Sequence, residues 1–414
     1  MYQVKKIIND LYWVGGSDRR LALFENVFPV PRGVSYNSYL LLDKKTVLFD
    51  TVDKSISEIF YQNISFLLKG RTLDYVVINH VEPDHCANLG ELVLKYPALK
   101  IIGNKRTLEM LRQFFDFSGS GRDFDSMTLA VKEGDVFESG THKLTFVMAP
   151  MVHWPETMAT YDSTEKILFS ADAFGTFGAL NGHIFADEFE FERDWLPDAR
   201  RYYANIVGKY GNQTQALLSK ASGLDISIVC PLHGPVWRKN FDWYFEKYQR
   251  WSTYAAEETS VMMVYGSVYG ATENAVNILA SLLAEKGVRN IAIYDASVTH
   301  PSVIVAEAFR CSHLVFASTT YNGEIFCSME TVLRDLKEHN LQNRTVAVIE
   351  NGSWAPQSGR LMREVFVSMK NIMVLDETVS IKSSVKEEQY AAFEKLAEVL
   401  FASMSESKNL ESGK

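Results

Sequence analysis

The chain has 414 residues, 47% of them hydrophobic and 22% charged, and a formal net charge of -9. That length implies two or three domains, and the composition is that of a globular protein, neither disordered nor fibrous. The negative balance argues against nucleic acid, whose binding depends on Lys and Arg neutralising phosphates, and gives no attraction to a lipid surface; a basic partner protein is compatible with it.

Residues 1–16 have no uninterrupted apolar core and no small-residue cleavage site, so no secretory signal is read there. Apolar runs such as 261–265 and 314–317 are strand-sized and far short of a membrane span. Cys86, Cys230, Cys311 and Cys327 stand singly with no CxxC pair, which excludes a rubredoxin-like or zinc-ribbon module and a disulfide framework in this sequence. A cytoplasmic protein is expected.

Residues 1–253 read as one domain of many short strands with few helices. Runs 37–42, 47–49, 75–78, 100–102, 144–148 and 167–170 are β-rich and bounded by turn residues, and helical patterns occupy 55–69 and 105–115. This order predicts a layered α/β or α+β domain. In residues 258–404 the rhythm changes. Five apolar runs (261–265, 290–294, 313–317, 345–349, 371–375) alternate with loops and with helical stretches such as 273–286 and 387–404. Apolar strands alternating with helices predict a parallel sheet covered on both faces. The polar segment 405–414 is expected to be disordered. No internal repeat is present.

The strand at 75–78 runs into Asn79-His80-Val81-Glu82-Pro83-Asp84-His85. Four potential metal-ligating side chains (His80, Glu82, Asp84, His85) crowd a six-residue stretch just beyond the strand end. Pro83 argues against a regular helix, leaving a loop that can aim alternate side chains at one centre and their neighbours at another. Such a loop needs remote partners. His153, Asp172 and His233 each follow an apolar strand. Each taken alone is more simply a capped turn or a solvated side chain; with the cluster they become ligand candidates, and Asp172 could bridge two centres. Mixed carboxylate and imidazole donors suit iron that binds a small diatomic molecule, although zinc fits the ligand types too.

In the second domain, Gly266-Ser267-Val268-Tyr269-Gly270-Ala271-Thr272-Glu273 follows the first strand and opens a helix. Backbone N–H groups there, with the hydroxyls of Ser267 and Thr272, make a pocket for a phosphate dianion. Neither a triphosphatase nor a dinucleotide fingerprint is present. Ser318-Thr319-Thr320-Tyr321-Asn322-Gly323 follows the third strand and Asn351-Gly352-Ser353-Trp354 the fourth. All three loops leave the carboxyl end of the sheet, where open α/β folds bind ligands, and Tyr321 and Trp354 offer flat faces to an isoalloxazine ring. Together they resemble a flavodoxin domain binding FMN.

The cluster resembles the metallo-β-lactamase motif with Glu82 in place of its usual histidine. That change, together with 18 residues between His153 and Asp172 and 60 between Asp172 and His233, is similar to the flavodiiron proteins (A-type flavoproteins) over nearly the whole chain. The resemblance implies an N-terminal metallo-β-lactamase-like αββα sandwich and a C-terminal flavodoxin-like, doubly wound five-stranded parallel sheet. It implies one iron on His80, Glu82 and His153, a second on Asp84, His85 and His233, and a bridging Asp172; some members leave the position of His85 off the metal. Tyr202 or Tyr203 matches a tyrosine near the distal iron, and Asn26 stands where some relatives carry histidine. The implied activity is passage of electrons from an external donor, rubredoxin or its reductase with a deazaflavin as substitute, through FMN to the di-iron site. There dioxygen is reduced to water, nitric oxide to nitrous oxide, or both, in a head-to-tail homodimer or a dimer of dimers. The alternatives are a zinc-dependent hydrolase with an appended flavodoxin domain, against which Glu82 speaks, and an FMN-binding gas sensor.

Overall fold

The structure is a computed structural model that describes residues 2–412. It divides into two compact units, Met1–Tyr203 with Asn212–Gln249, and Ala204–Gly211 with Arg250–Lys414.

Two sheets make the first unit. One consists of β1 (Lys5–Lys6), β2 (Leu11–Trp13), β3 (Tyr39–Leu42), β4 (Thr46–Phe49), β5 (Tyr75–Val77), β6 (Lys100–Asn104) and β7 (Thr128–Val131), adjacent in chain order. Pairing is antiparallel as far as β4 and parallel from β4 to β7. The parallel part requires crossovers, supplied by segments that include helices Ser57–Leu68 and Lys105–Phe114. The other sheet runs β8 (Val136–Glu138), β9 (Lys143–Met148), β10 (Met158–Asp162), β11 (Ile167–Phe169) and β12 (Ile228–Cys230). The two sheets face each other through aromatic contacts. Phe49 on β4 stacks on Phe169 of β11 at 3.7 Å, and Tyr75 on β5 meets Phe137 of β8 at 4.6 Å. β10 is buried at all five positions, so it lacks the in-out alternation that marks a half-exposed strand.

The second unit carries β13 (Glu258–Gly266), β14 (Ile291–Asp295), β15 (Cys311–Tyr321), β16 (Arg344–Asn351) and β17 (Ile372–Ile381), all parallel, in the order β14-β13-β15-β16-β17. Helices Ala271–Glu285 and Tyr390–Ser412 close one core against it, with Leu279, Leu283, Phe393 and Leu400 fully buried beside Val315 and Ile349. This is the doubly wound arrangement, whose strand order reverses beside β13.

One expectation is overturned here. The polar segment at 405–414 is not a separate disordered tail: the last helix continues to Ser412. Hydroxyls that compete with the backbone elsewhere instead donate back along the helix, Ser405 Oγ to Phe401 O and Ser407 Oγ to Ser403 O. No proline interrupts the stretch, so the preceding turns can propagate. Gly413 and Lys414 lie outside the described residues. Among the described residues no helix is long and apolar enough to cross a membrane. The four cysteines are free thiols.

A buried imidazole clamps the two sheets of the first unit. His142, just before β9, reaches Asp162 at the end of β10 through Nδ1 (2.6 Å) and Asp10, just before β2, through Nε2 (3.0 Å). Burial opposes a charge on this ring, but the two carboxylates more than offset it and hold the imidazolium up to about 9. Because the folded pKa lies above the unfolded one, the stabilisation is complete below the unfolded value and is lost as pH rises through about 9. The stability gap between the wild type and His142→Gln, read from urea unfolding, is therefore expected to be widest near roughly pH 6 and to narrow steadily towards alkaline pH. A gap that stays flat or widens would contradict the clamp.

Candidate functional site

The first unit gathers its polar side chains at strand ends. At the end of β4, Asp50 accepts hydrogen bonds from Asn79 N and Asn79 Nδ2 (both 2.7 Å) and from His80 N (3.2 Å), which fixes the path of the chain leaving β5. Pro83 does not keep the next segment out of a helix. Residues Pro83–Cys86 form a single helical turn with the proline in its first position. A proline there gives up an N–H that has no intrahelical partner anyway, and its fixed φ suits the helix. The turn swings Asp84 and His85 away from His80 and Glu82, so the segment serves two centres.

Loops from both sheets complete them. His153 lies between β9 and β10, Asp172 follows β11 and His233 follows β12. In the first centre Glu82 Oε2 is 3.1 Å from both His80 Nε2 and His153 Nε2. In the second, Asp84 Oδ2 is 3.3 Å from both His85 Nε2 and His233 Nε2. Asp172 divides its oxygens between them. Its Oδ2 is 3.3 Å from His80 Nε2 and His153 Nε2, and its Oδ1 is 3.1 Å from His85 Nε2 and 3.5 Å from His233 Nε2. The donor atoms of His80, Glu82, His153 and Asp172 lie within 4.8 Å of one another, as do those of Asp84, His85 and His233.

The chemistry of this donor set fits two cations. Both Asp84 oxygens, Asp172 Oδ1 and the Nε2 atoms of His85, His153 and His233 are buried with no hydrogen-bond partner among the described residues. Buried polar atoms converging without partners are what an ion would satisfy. The electrostatics agree. Burial disfavours charge on His85, but Asp84 and Asp172 override it and lift the imidazole to about 9. Burial likewise opposes a charged His153, and Asp172 and Glu82 lift it to about 9. Glu82 is held far below the carboxylate range by His153 and His80 against its desolvation, and Asp172 by His85 and His153. The pocket thus stabilises carboxylates facing positive charge.

Behind these side chains, Glu156 Oε1 accepts from His80 Nδ1 (2.8 Å) and Val81 N (2.9 Å), while His233 Nδ1 donates to the Ser35 carbonyl (2.8 Å). The His233 loop is pinned by Asn37 Nδ2, which donates to Pro231 O and Gly234 O at 2.8 Å each. Gly234 is required there: its φ is +76°, and a Cβ would sit 2.2 Å from Thr176. The ring of Tyr202 lies 5.5 Å from that of His233, and its buried hydroxyl has no partner among the described residues. Burial first, then Asp172 and Asp84, keep this phenol protonated. Tyr203 instead packs against Tyr248 at 4.9 Å.

Asn26 occupies a tight turn between Leu23–Phe24 and Phe28–Pro29, with positive φ at Glu25 and Asn26. Sequence reasoning missed its neighbour Glu25, whose carboxyl is pushed up to about 8 by desolvation and by the Glu82 carboxylate. Nothing in the local sequence separates this glutamate from an ordinary turn residue.

In the second unit, the carboxyl ends of β13, β15 and β16 surround a cavity of about 640 Å³. The first loop contributes Ser267, Val268, Tyr269, Ala271 and Thr272, the second Thr319 to Gly323, and the third Asn351 to Trp354. Gly270 and Ser318 do not line it. Gly270, at φ +88°, shapes the entry to helix Ala271–Glu285, its N–H held by Ser267 Oγ, and Ser318 Oγ accepts from Phe326 N. Ala355 and the loop after β17, with Ser383 and Ser384, were not foreseen. Asn351 holds that loop, accepting from Ser383 N (3.0 Å) and donating to Ser383 O (2.9 Å). Two serines after a strand carry neither glycine nor aromatic signal. Among the residues lining the cavity none is charged, and Trp354 is 91% exposed at its rim. Such a site holds an anion through hydroxyls and backbone N–H groups and leaves a flat apolar ligand an aromatic edge to lie on.

Residues 34–234 match the family described as ODP family beta lactamase. An uncharacterised protein of Methanocaldococcus jannaschii is 31% identical over 96% of this chain and 99% of its own length. The anaerobic nitric oxide reductase flavorubredoxin of Aeromonas hydrophila is 30% identical over 84% of this chain and 69% of its own. Among solved structures, the rubredoxin oxygen:oxidoreductase of Desulfovibrio gigas superposes with a TM-score of 0.89 at 25% identity, covering 97% of this chain and 99% of that one. A variant of the flavo di-iron protein of Thermotoga maritima does so with a TM-score of 0.87 at 26% identity, covering 97% and 98%. With these likenesses spanning both units, the chain belongs to the flavodiiron protein family.

Proposed function

We propose that this protein is an oxidoreductase that carries electrons from an external donor through FMN to two irons and there reduces dioxygen to water, nitric oxide to nitrous oxide, or both. The observation that carries this reading is the presence in one chain of six donor side chains arranged around a shared Asp172 and an uncharged, aromatic-rimmed cavity at the head of a parallel sheet. When bound, FMN supplies exchange of electrons singly or in pairs, and the irons supply redox chemistry and open positions for a diatomic molecule.

The residues have separable tasks. His80, Glu82 and His153 would hold one iron, Asp84, His85 and His233 the other, with Asp172 between them. The protonated Tyr202 hydroxyl, lying against the His233 side, is available to donate a hydrogen bond to a small ligand there; Tyr203 packs against Tyr248. Ser267, Thr272 and the N–H groups opening helix Ala271–Glu285 would take the FMN phosphate, and Tyr321 and Trp354 would flank the ring. The hydrolase alternative is not favoured, because the Aeromonas relative is named a nitric oxide reductase flavorubredoxin and the superposed structures a rubredoxin oxygen:oxidoreductase and a flavo di-iron protein. The donor is proposed to be rubredoxin or its reductase, with a reduced deazaflavin as substitute, and the protein to work in the cytoplasm. A head-to-tail homodimer, alone or paired into a dimer of dimers, would set the flavin of one protomer beside the irons of another; full turnover by a sedimenting monomer would refute that arrangement.

Three measurements test the reading. Protein loaded anaerobically with FMN and iron, reduced, and mixed rapidly with dioxygen or nitric oxide should be reoxidised over repeated cycles by at least one of them. Loading without turnover with either gas would leave a carrier or sensor. Thr272→Val removes a hydroxyl from the proposed phosphate cradle, and a hydrogen bond to a charged group contributes about 1.5–3 kcal/mol. FMN affinity, followed by fluorescence quenching, should fall roughly tenfold or more, while riboflavin, which lacks the phosphate, should bind as before. Asp172→Asn should lower the metal content from about two ions per chain to about one or fewer, because a neutral amide no longer joins the two positions. An unchanged metal content would remove Asp172 from the assignment.

A further inference from the structure

We infer that Glu156 makes the two metal positions unequal: by accepting the His80 Nδ1 hydrogen it strengthens the His80–Glu82–His153 position, which fills before the Asp84–His85–His233 position and holds its ion longer. This rests on the two-metal reading of the cluster. The direct donors do not distinguish the positions, since each has two histidines, one carboxylate of its own and one oxygen of Asp172. The difference lies behind them.

At the first position the group behind His80 is an anion. Glu156 is 1% exposed, and its Oε1 is 2.8 Å from His80 Nδ1 and 2.9 Å from Val81 N. With the ring hydrogen on Nδ1, the Nε2 lone pair is directed towards Glu82 and Asp172, where the ion would sit, and the carboxylate makes that lone pair more basic. The other oxygen, Oε2, is buried without a hydrogen-bond partner among the described residues, so further donors do not draw off the charge. Thr157 Oγ1 stands 3.4 Å from the same ring nitrogen.

At the second position no carboxylate is hydrogen-bonded to the far side of either ring. His233 Nδ1 donates to a backbone carbonyl, and His85 Nδ1 has no hydrogen-bond partner among the described residues. Asp50 is a buried carboxylate that interacts with His85 through charge alone. Its oxygens accept from Asn79 and from the His80 backbone N–H, and its hydrogen bonds reach no ring. Glu156 is therefore a positioning residue for one metal and not for its neighbour.

The apoprotein, titrated anaerobically with cobalt(II) and followed by visible absorption and calorimetry, should bind in a tighter and a looser phase. Loss of a hydrogen-bonding group behind a ligating histidine typically weakens metal binding by about 10–100-fold. Glu156→Gln should shift the tighter phase by that factor and leave the looser one nearly in place, so that the two merge. A tighter phase that does not move, or a loss confined to the looser phase, would overturn the inference. A second measurement needs no variant: wild-type apoprotein given a single equivalent of cobalt(II) should show anomalous scattering beside His80 and Glu82. Scattering that appears first beside Asp84, or equally at both, would also overturn it. Failure to bind any pair of ions would instead count against the di-iron reading itself.

Discussion

Four imidazoles and three carboxylates packed into a dry interior must either neutralise one another or be neutralised by cations. Removing each charge from water costs several kcal/mol even after relaxation, and attraction repays this only where the geometry is good and remaining polar atoms are satisfied. Here they are not satisfied. Six donor atoms converge on two points with no hydrogen bond among them, and Asp172 turns one oxygen to each point. Without cations, the groups can only trade protons, raised on histidine and expelled from carboxylate. The remainder of the first unit serves to hold side chains in a place they would not choose alone.

That holding falls to strand ends. β4, β5, β11 and β12 stop at the same level, and the side chain or backbone just beyond each is tied to a neighbour. Asp50 ties the exit of β5, and Asn37 ties the loop after β12. A sheet core fixed by contacts such as Phe49 on Phe169 gives these ties a rigid base. The second unit uses the same device with softer means. Its loops leave β13, β15, β16 and β17 at one edge of a parallel sheet and present hydroxyls and amides, so a ligand is gripped by dipoles where the first unit grips by charge.

How much of this the sequence displayed depends on whether a feature is local. Apolar, β-branched runs such as 261–265 and 345–349 mark buried parallel strands by themselves, and both lie inside strands of the structure. His80, Glu82, Asp84 and His85 were legible because they crowd six residues, and three remote ligand candidates because each follows an apolar run. Features that depend on tertiary contact were not legible. Glu25 acquires significance only because a hairpin brings it to Glu82, and Ser383 only because Asn351 pins its loop. Pro83 misled for a different reason. Proline opposes a helix interior but suits its first turn, and a four-residue helix has little besides that turn. The segment after residue 405 misled because its serines, polar in composition, bond back along the helix.

The two sites also differ in what they let in. Of the proposed metal ligands, His80, His85 and His233 are wholly removed from solvent, whereas Tyr269 is 98% and Trp354 91% exposed beside the second cavity. Exposed aromatic side chains at a pocket mouth carry a cost in water and are retained where something must lie against them. A redox group in such a place can be reached by a large donor, while an enclosed metal pair admits only small molecules and keeps water from competing with them. An oxidoreductase of this kind needs opposite accessibility at its two ends. The proposed external donor needs an open flavin site, whereas a diatomic oxidant needs only a narrow path to the buried side chains of the first unit.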